Sequence, residues 1–301
     1  MNIKYGKQLE VEELIGEKID LFLLASNHED RVLTAYEKIN KKNKILKTVS
    51  LSYERNCIEL EKEGFESVII EGHQQVSGLL DKELGGSCLD EFVMVVDYSC
   101  MTKSWYYTVI LYLKKKRTDF NSIKVYFVYT PSKYNEPKPP KSNTEIAPLP
   151  GKYIVPTDKP KALIVCLGYE QSKAEGIIEH LDPKEYYIFY SEPALDQRFT
   201  KKIKENNLAL LNRSENVISF PINDLRFLER ELTSLYYLLK NEYSIIIAPL
   251  GPKPFTLVSM LMAIRYRDID IWRVGSGSDI NEYKREPIDN DSFIIMEVFF
   301  K

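Results

Sequence analysis

The sequence predicts an α/β protein of two tandem Rossmann-like halves, each a doubly wound, mainly parallel sheet, related by internal duplication. Three observations predict it. Short apolar runs alternate with helix-patterned stretches along the chain, as βαβ units do. The same order of elements occurs twice. A proline-rich stretch separates the two copies. The 301 residues suffice for two ordinary domains.

Each copy opens with an apolar strand, a polar turn and a helix. These are "IDLFLLASNHEDRVLTAYEKI" from Ile19 and "KALIVCLGYEQSKAEGIIEHL" from Lys161, with Glu29 opposite Glu170 at an offset of 141. The second element is "NKILKTVSLSYERNCIELEKEG" against "EYYIFYSEPALDQRFTKKIKEN", with Arg55 opposite Arg198 at an offset of 143. A helix and a further strand follow, FVMVV in one copy and SIIIA in the other, each running into a turn with a lysine and then an apolar helix. Lys103 lies opposite Lys253 at an offset of 150. A last strand completes each copy, "IKVYFVYTPSKYN" against "IDIWRVGSGSDIN", with Val128 opposite Val274 at an offset of 146. Uninterrupted apolar strands such as LFLLA and ALIVCL suit a parallel sheet covered by helices on both faces.

Eight of the fifteen prolines fall between Pro131 and Pro160. Such a stretch builds neither a helix nor a central strand. The expected organisation is therefore an N-terminal domain over 1–130, a linker over 131–160 and a C-terminal domain over 161–301.

A net charge of −3 gives no reason to expect bulk DNA or RNA binding. The basic run Lys114-Lys115-Lys116-Arg117 ends an apolar helix, where cations face water and suit the helix dipole. Cys57, Cys88, Cys100 and Cys166 form no CxxC pair, and His28, His73 and His180 are far apart. No zinc site, disulfide framework or cofactor is expected. The opening MNIKYGKQLEVEEL has no apolar signal core. No apolar run approaches the roughly 18 residues of a membrane span. The expectation is a cytoplasmic protein with reduced thiols and no membrane partner.

In open parallel sheets, ligands bind outside the carboxyl ends of the strands, where strand order reverses. The candidate site is therefore the set of segments that follow the strands. After the first strands stand Ser26, Asn27, His28 and Glu29 in one copy, and Gly168, Tyr169, Glu170 and Gln171 in the other. Their small and polar side chains either cap a helix or leave its first amides to an anion. The acids can accept from a ribose hydroxyl or a base amine. His28 is either a general acid–base group or a hydrogen-bonded bystander.

The lysine turns offer Ser99, Thr102 and Lys103 in the first copy, and Gly251 and Lys253 in the second, with Pro254 suited to a first helical turn. A lysine at a helix start opposes the helix dipole by a few tenths of a kcal/mol. A bound anion reverses the sign of that interaction, and a solvated turn lysine is the plain alternative. After the last strands come Thr130, Ser132 and Asn135, and in the other copy Ser276, Ser278, Asp279 and Asn281 within "GSGSDIN", which is not a GxGxxG fingerprint. Arg55 and Arg198 either bind phosphate or pair with Glu54 and Asp196 beside them.

At the lysine turns the chain resembles the CARF sensor domains of CRISPR-linked proteins. These carry an apolar strand, a turn of the type [DN]-[LIV]-[ST]-G-G-T-K-x-[MF], and an apolar helix. Asp97-Tyr98-Ser99-Cys100-Met101-Thr102-Lys103 keeps the Asp, Ser, Thr and Lys, with Cys100 and Met101 in place of the glycines. Ala248-Pro249-Leu250-Gly251-Pro252-Lys253-Pro254-Phe255 keeps one glycine, the lysine and the large apolar residue. Two CARF-like halves in one chain are also similar to SAVED domains.

The resemblance implies Rossmann-like domains whose two turns face each other across a cyclic oligoadenylate, and a role in bacterial anti-phage defence. No PD-(D/E)xK spacing, HEPN-type R-x4-H or membrane helix is attached, so the effector is expected to be a separate protein. The leading expectation is a nucleotide sensor. Its phosphate-bearing ligand lies between the halves, on Lys103 and Lys253, with Ser26, Asn27, Gly168 and Tyr169 shaping the base and ribose region. Two alternatives stand beside it. One is a nucleotide-processing enzyme on the same scaffold: a ring nuclease, a nucleotide hydrolase or a phosphoribosyl-transfer enzyme. The other is a protein-interaction subunit without a small ligand.

Overall fold

The computed structural model describes residues 3–53, 58–85, 90–115, 121–277 and 284–301. The chain divides into one unit of Met1–Lys133 with Ile280–Lys301 and a second of Tyr134–Asp279. Both are α/β.

The first unit runs β1 (Ile3–Leu9), β2 (Lys18–Ile19), β3 (Leu21–Ser26), α1 (Thr34–Asn40), β4 (Lys44–Ile45) and β5 (Thr48–Ser52). It continues with α2 (Ile58–Lys62), β6 (Glu66–Ile69), α3 (Gln74–Leu84), β7 (Glu91–Asp97), α4 (Lys103–Lys115) and β8 (Ser122–Tyr129). The parallel strands lie in the order β6-β5-β3-β7-β8, so in chain order the sheet reads 3-2-1-4-5. That is the Rossmann order, with its switch point between β3 and β7.

The second unit runs β9 (Glu145–Pro148), β10 (Lys161–Cys166), α5 (Gln171–Leu181), β11 (Glu185–Ser191), α6 (Gln197–Asn206) and α7 (Leu208–Arg213). It ends with β12 (Val217–Phe220), α8 (Leu225–Leu239), β13 (Ser244–Pro249), α9 (Lys253–Arg265) and β14 (Asp270–Gly275). Its parallel strands lie as β12-β11-β10-β13-β14, again 3-2-1-4-5. The repeat expected from the sequence is this shared order, and Val128 and Val274 both lie in fifth strands.

The division of the chain differs from the expected boundaries at two places. β15 (Ile294–Phe300) does not join the second sheet. It runs antiparallel between β8 and β1 in the first. β9, inside the expected linker, pairs antiparallel with β14 at the edge of the second sheet. The physical reason is the same in both units. A fifth strand that ends a parallel sheet leaves a row of open main-chain groups. β8 is buried along most of its length and needs a partner on that side.

Burial follows the apolar pattern. β3 is buried at every residue, as is β7 after its first. In α9 every residue from Pro254 to Ile264 is buried, as expected of a helix apolar all round. It packs against both the sheet and α8, whose buried Leu225, Leu228, Leu232, Leu235 and Leu239 recur at intervals of three and four. The first unit repeats this with α3 packed on α4. No helix among the described residues is long and apolar enough to cross a membrane.

The second half of the proline-rich segment is a strap beneath the helices of the second unit. Lys152 Nζ donates to the carbonyls of Ala263 (2.6 Å) and Ile269 (2.5 Å), at and beyond the end of α9. Lys159 Nζ donates to the Lys240 carbonyl at the end of α8 (2.9 Å). Just beyond, Lys161 Nζ donates to the Leu181 carbonyl at the end of α5 (2.8 Å). Three helix ends whose last carbonyls lack intrahelical donors thus each receive a cation, the charge their dipoles favour.

Burial lowers the Lys152 pKa from 10.5 to about 8, against the pull of Asp270 and Asp268. Below the folded pKa the charge is present in both states. Above it, and up to the unfolded value, the unfolded chain holds a proton that the folded chain has lost. Stability from this group therefore rises with pH across that window. Urea unfolding of the wild type and of Lys152→Met between about pH 7 and about pH 10 should show their difference in stability shifting in favour of the wild type as pH rises. A flat difference would mean that Lys152 titrates alike in both states.

Candidate functional site

The ligand-binding candidates among the described residues stand at the carboxyl ends of strands of their own sheets. Ser26, Asn27, His28 and Glu29 lie at or just after the end of β3, and Ser99, Thr102 and Lys103 follow β7. Gly168, Tyr169 and Glu170 follow β10, Gly251 and Lys253 follow β13, and Ser276 follows β14. Lys103 and Lys253 are each the first residue of a helix, α4 and α9, and both are half-buried. Arg55, Ser278, Asp279 and Asn281 lie outside the described residues, as do Cys57 and Cys88. Cys100 and Cys166 are free thiols, both buried.

In the first unit the edge is organised around Arg31, 2% exposed. Its Nε donates to Glu29 Oε2 (2.6 Å), its Nη1 to the Thr130 carbonyl after β8 (2.7 Å), and its Nη2 to the Ser99 carbonyl after β7 (3.1 Å). Its guanidinium also lies 5.6 Å from the Tyr129 ring centroid. Burial opposes the charge of Arg31, but Tyr129, Cys100 and Glu29 favour it and raise its pKa above the ordinary value.

Glu29 accepts as well from Asn27 Nδ2 (3.2 Å) and Arg285 Nη1 (3.1 Å). It is buried, and both of its carboxylate oxygens are bonded to these partners. His28 beside it is exposed. Asn27 does not cap α1, which begins at Thr34. Its Oδ1 accepts from the Glu29 amide (2.9 Å) and closes a local turn.

The lysine turn of this unit is fixed from several directions. Asp97 Oδ1 accepts from the Ser99 amide (2.9 Å), and Ser99 Oγ accepts from the Thr130 amide (2.8 Å). Tyr53, from the end of β5, donates to the Cys100 carbonyl (3.1 Å) and stacks on Trp105 of α4 at 4.1 Å. Burial raises the Tyr53 pKa and keeps the phenol protonated. The Ser99 and Cys100 carbonyls are thus both engaged from outside the turn, and Lys103 leads the helix that follows.

The second unit closes its switch point without a charge. A Cβ on Gly168 would stand 2.7 Å from the Leu250 carbonyl oxygen. One on Gly251 would stand 2.5 Å from the Leu167 oxygen and 2.6 Å from Cys166 Sγ. The loops after β10 and β13 therefore touch main chain to main chain, and glycine is required for this approach. Asn206 Nδ2 donates to the Tyr169 carbonyl (2.8 Å) and Asn207 Nδ2 to the Gly168 carbonyl (3.0 Å), holding the first loop from the end of α6. Glu170 precedes α5 without a side-chain cap and pairs with Lys173. Ser276 is buried. Arg198 takes the surface-pair alternative: its Nη2 lies 2.6 Å from Asp196 Oδ2.

Sequence reading missed Arg31, Tyr53, Trp105, Phe199 and Arg285. Tyr53 and Trp105 were visible as aromatics flanking the second strand end and the lysine turn. Arg31 had only its spacing of two from Glu29 as a signal, and Arg285, the other arginine on Glu29, lies 256 residues beyond that glutamate. Among the described residues no group of three or more His, Cys, Asp or Glu is placed to hold a metal ion. No protein-family model matches the chain, and no curated protein matches it.

Two expectations follow for stability. Arg31→Met strips the main donor from buried Glu29 and from two carbonyls, and should cost about 3–5 kcal/mol in urea unfolding. Gly168→Ala or Gly251→Ala forces a main-chain contact apart and should cost about 1–3 kcal/mol. A control, Gly64→Ala, meets nothing within 4 Å, so any loss there reflects its positive φ of 85° rather than crowding.

Proposed function

We propose that this protein senses a phosphate-bearing nucleotide, with a cyclic oligonucleotide as the leading class. The observation that carries the reading is the paired lysine. Each half has a lysine as the first residue of the helix after its fourth strand, at the edge where its strand order reverses. A cation there opposes the dipole of its own helix, and a bound phosphate turns that opposition into attraction. Lys103 and Lys253 contact phosphate. Tyr169 and the Gly168 and Gly251 loops border the base and ribose.

Sensing means that the ligand binds one conformation better than another and shifts the population toward it. A separate effector protein then reads the change. The assignment to anti-phage defence rests on the likeness of the two lysine turns to CARF sensors.

A second reading, an interaction subunit with no small ligand, draws on exposed apolar side chains of the second unit. Tyr153 is 81% exposed and Val155 71%, with Tyr237 and Leu238 also exposed at the end of α8.

Purified protein titrated with cyclic oligoadenylates and common nucleotides, with the products then separated, distinguishes the readings. A sensor binds tightly and returns its ligand intact. Lys103→Ala and Lys253→Ala should each weaken binding about tenfold to a hundredfold, the range for a hydrogen bond to a charged group. Turnover of the ligand would replace the sensor with an enzyme. Folded lysine variants that leave binding and biological activity untouched would favour the interaction subunit.

A further inference from the structure

The second unit contains three aromatic trios, one of which, Tyr236, Tyr237 and Tyr266, lies at the ends of α8 and α9. Phe189, Phe220 and Phe255 meet at centroid distances of 5.5–6.4 Å and are fully buried, so they belong to the interior. Tyr134, Phe199 and Tyr169 differ. Tyr134 meets Phe199 edge-on at 5.3 Å, and Tyr169 lies nearly parallel to Phe199, 19° apart in plane and 6.1 Å between centroids. All three are half-buried. The Arg198 guanidinium sits 5.0 Å from the Tyr134 ring centroid while paired with Asp196. The main chain of Tyr169 is held by Asn206, and Tyr134 donates to Glu136, which in turn pairs with Lys202 of α6. Tyr169 packs on one side against the core beneath β10, and none of the three rings is fully buried.

Their place in the sheet gives them meaning. Tyr169 follows β10, the central strand. Phe199 lies in the first turn of α6, beyond β11 on one side. Gly251 and Lys253 follow β13 on the other. Two strand spacings separate the ends of β11 and β13, about 10 Å. Aromatic residues thus stand on one side of the β10 end and a helix-leading lysine on the other, a spacing that suits a base joined through a sugar to a phosphate.

We propose that Tyr169 and Phe199 form a stacking platform for a nucleobase whose phosphate lies at the Gly251–Lys253 turn, with Tyr134 and Arg198 closing the platform's edge. This rests on the nucleotide reading above and assigns base recognition to the second unit. The first unit has no such platform among its described residues. Its ring pair at the lysine turn, Tyr53 on Trp105, is already stacked at 4.1 Å, and Trp105 is buried.

Calorimetric titration with ATP, tripolyphosphate and a cyclic oligoadenylate tests the assignment. Base–aromatic stacking is worth about 1–3 kcal/mol per base. Phe199→Ala should therefore weaken ATP roughly 5- to 150-fold and leave tripolyphosphate unchanged. Lys253→Ala should weaken both phosphate ligands. Phe199→Leu, which keeps apolar volume and loses the ring, guards against a folding defect and should behave as Phe199→Ala. Phe199→Tyr should bind as the wild type. If Phe199→Ala and Phe199→Leu bind ATP normally while Lys253→Ala does not, the platform is refuted and the nucleotide reading survives. If the wild type binds neither ATP, nor tripolyphosphate, nor a cyclic oligoadenylate, the nucleotide reading and the platform that rests on it both fall.

Discussion

Arg31 carries a full positive charge beneath the loops of the first sheet, and its surroundings are arranged to keep it there. An isolated buried charge is prohibitively costly, and this one is stabilised by a carboxylate, two main-chain carbonyls and a tyrosine face. The loops after β3, β7 and β8 are consequently tied to one planar group. Their relative positions are set by hydrogen-bond geometry rather than by loose packing. Glu29 extends the tie to Arg285, so the returning C-terminal segment is anchored at the same point.

The second sheet reaches the same topology with different chemistry. Where the first places a guanidinium, the second places two glycines and brings the loops into direct contact. Where the first stacks Tyr53 on Trp105 in a closed pair, the second keeps Tyr169 and Phe199 half-buried. The two copies share what the interior demands, apolar parallel strands and a helix apolar all round after the fourth strand, and both also carry a lysine at that helix's start. The edge is free of that demand, because both faces of the sheet are covered and only the strand ends meet solvent. The two copies could therefore diverge there without loss of fold.

The same distinction governs what could be read from the residues. Strand identity, the repeat and the position of both lysines depend on local patterns, and these were visible. LFLLA and FVMVV announce buried parallel strands, and Pro254 marks a helix start. The pairing of Ile294–Phe300 with the first sheet was not visible, because an apolar strand does not state which edge it will cover. Nor was β9, a four-residue strand in a segment rich in proline. Arg31 was hidden for a related reason: its partners come from three separate loops, and Glu29 beside it is shared with Arg285 far along the chain. The polar residues after β3 suggested a helix cap, whereas Asn27 makes a local turn and α1 starts seven residues later.

The return of β15 to the first sheet has a consequence for biosynthesis. The second unit is one continuous stretch of chain, and its sheet can close as soon as β14 has been made. The first sheet lacks β15 until the final residues of this stretch emerge, so β8 waits with one side bare and β1 without a neighbour. The half synthesised first is thus the half completed last, and during that interval its exposed apolar ribbon is the vulnerable surface on which a chaperone, or a misplaced strand from another nascent chain, would settle.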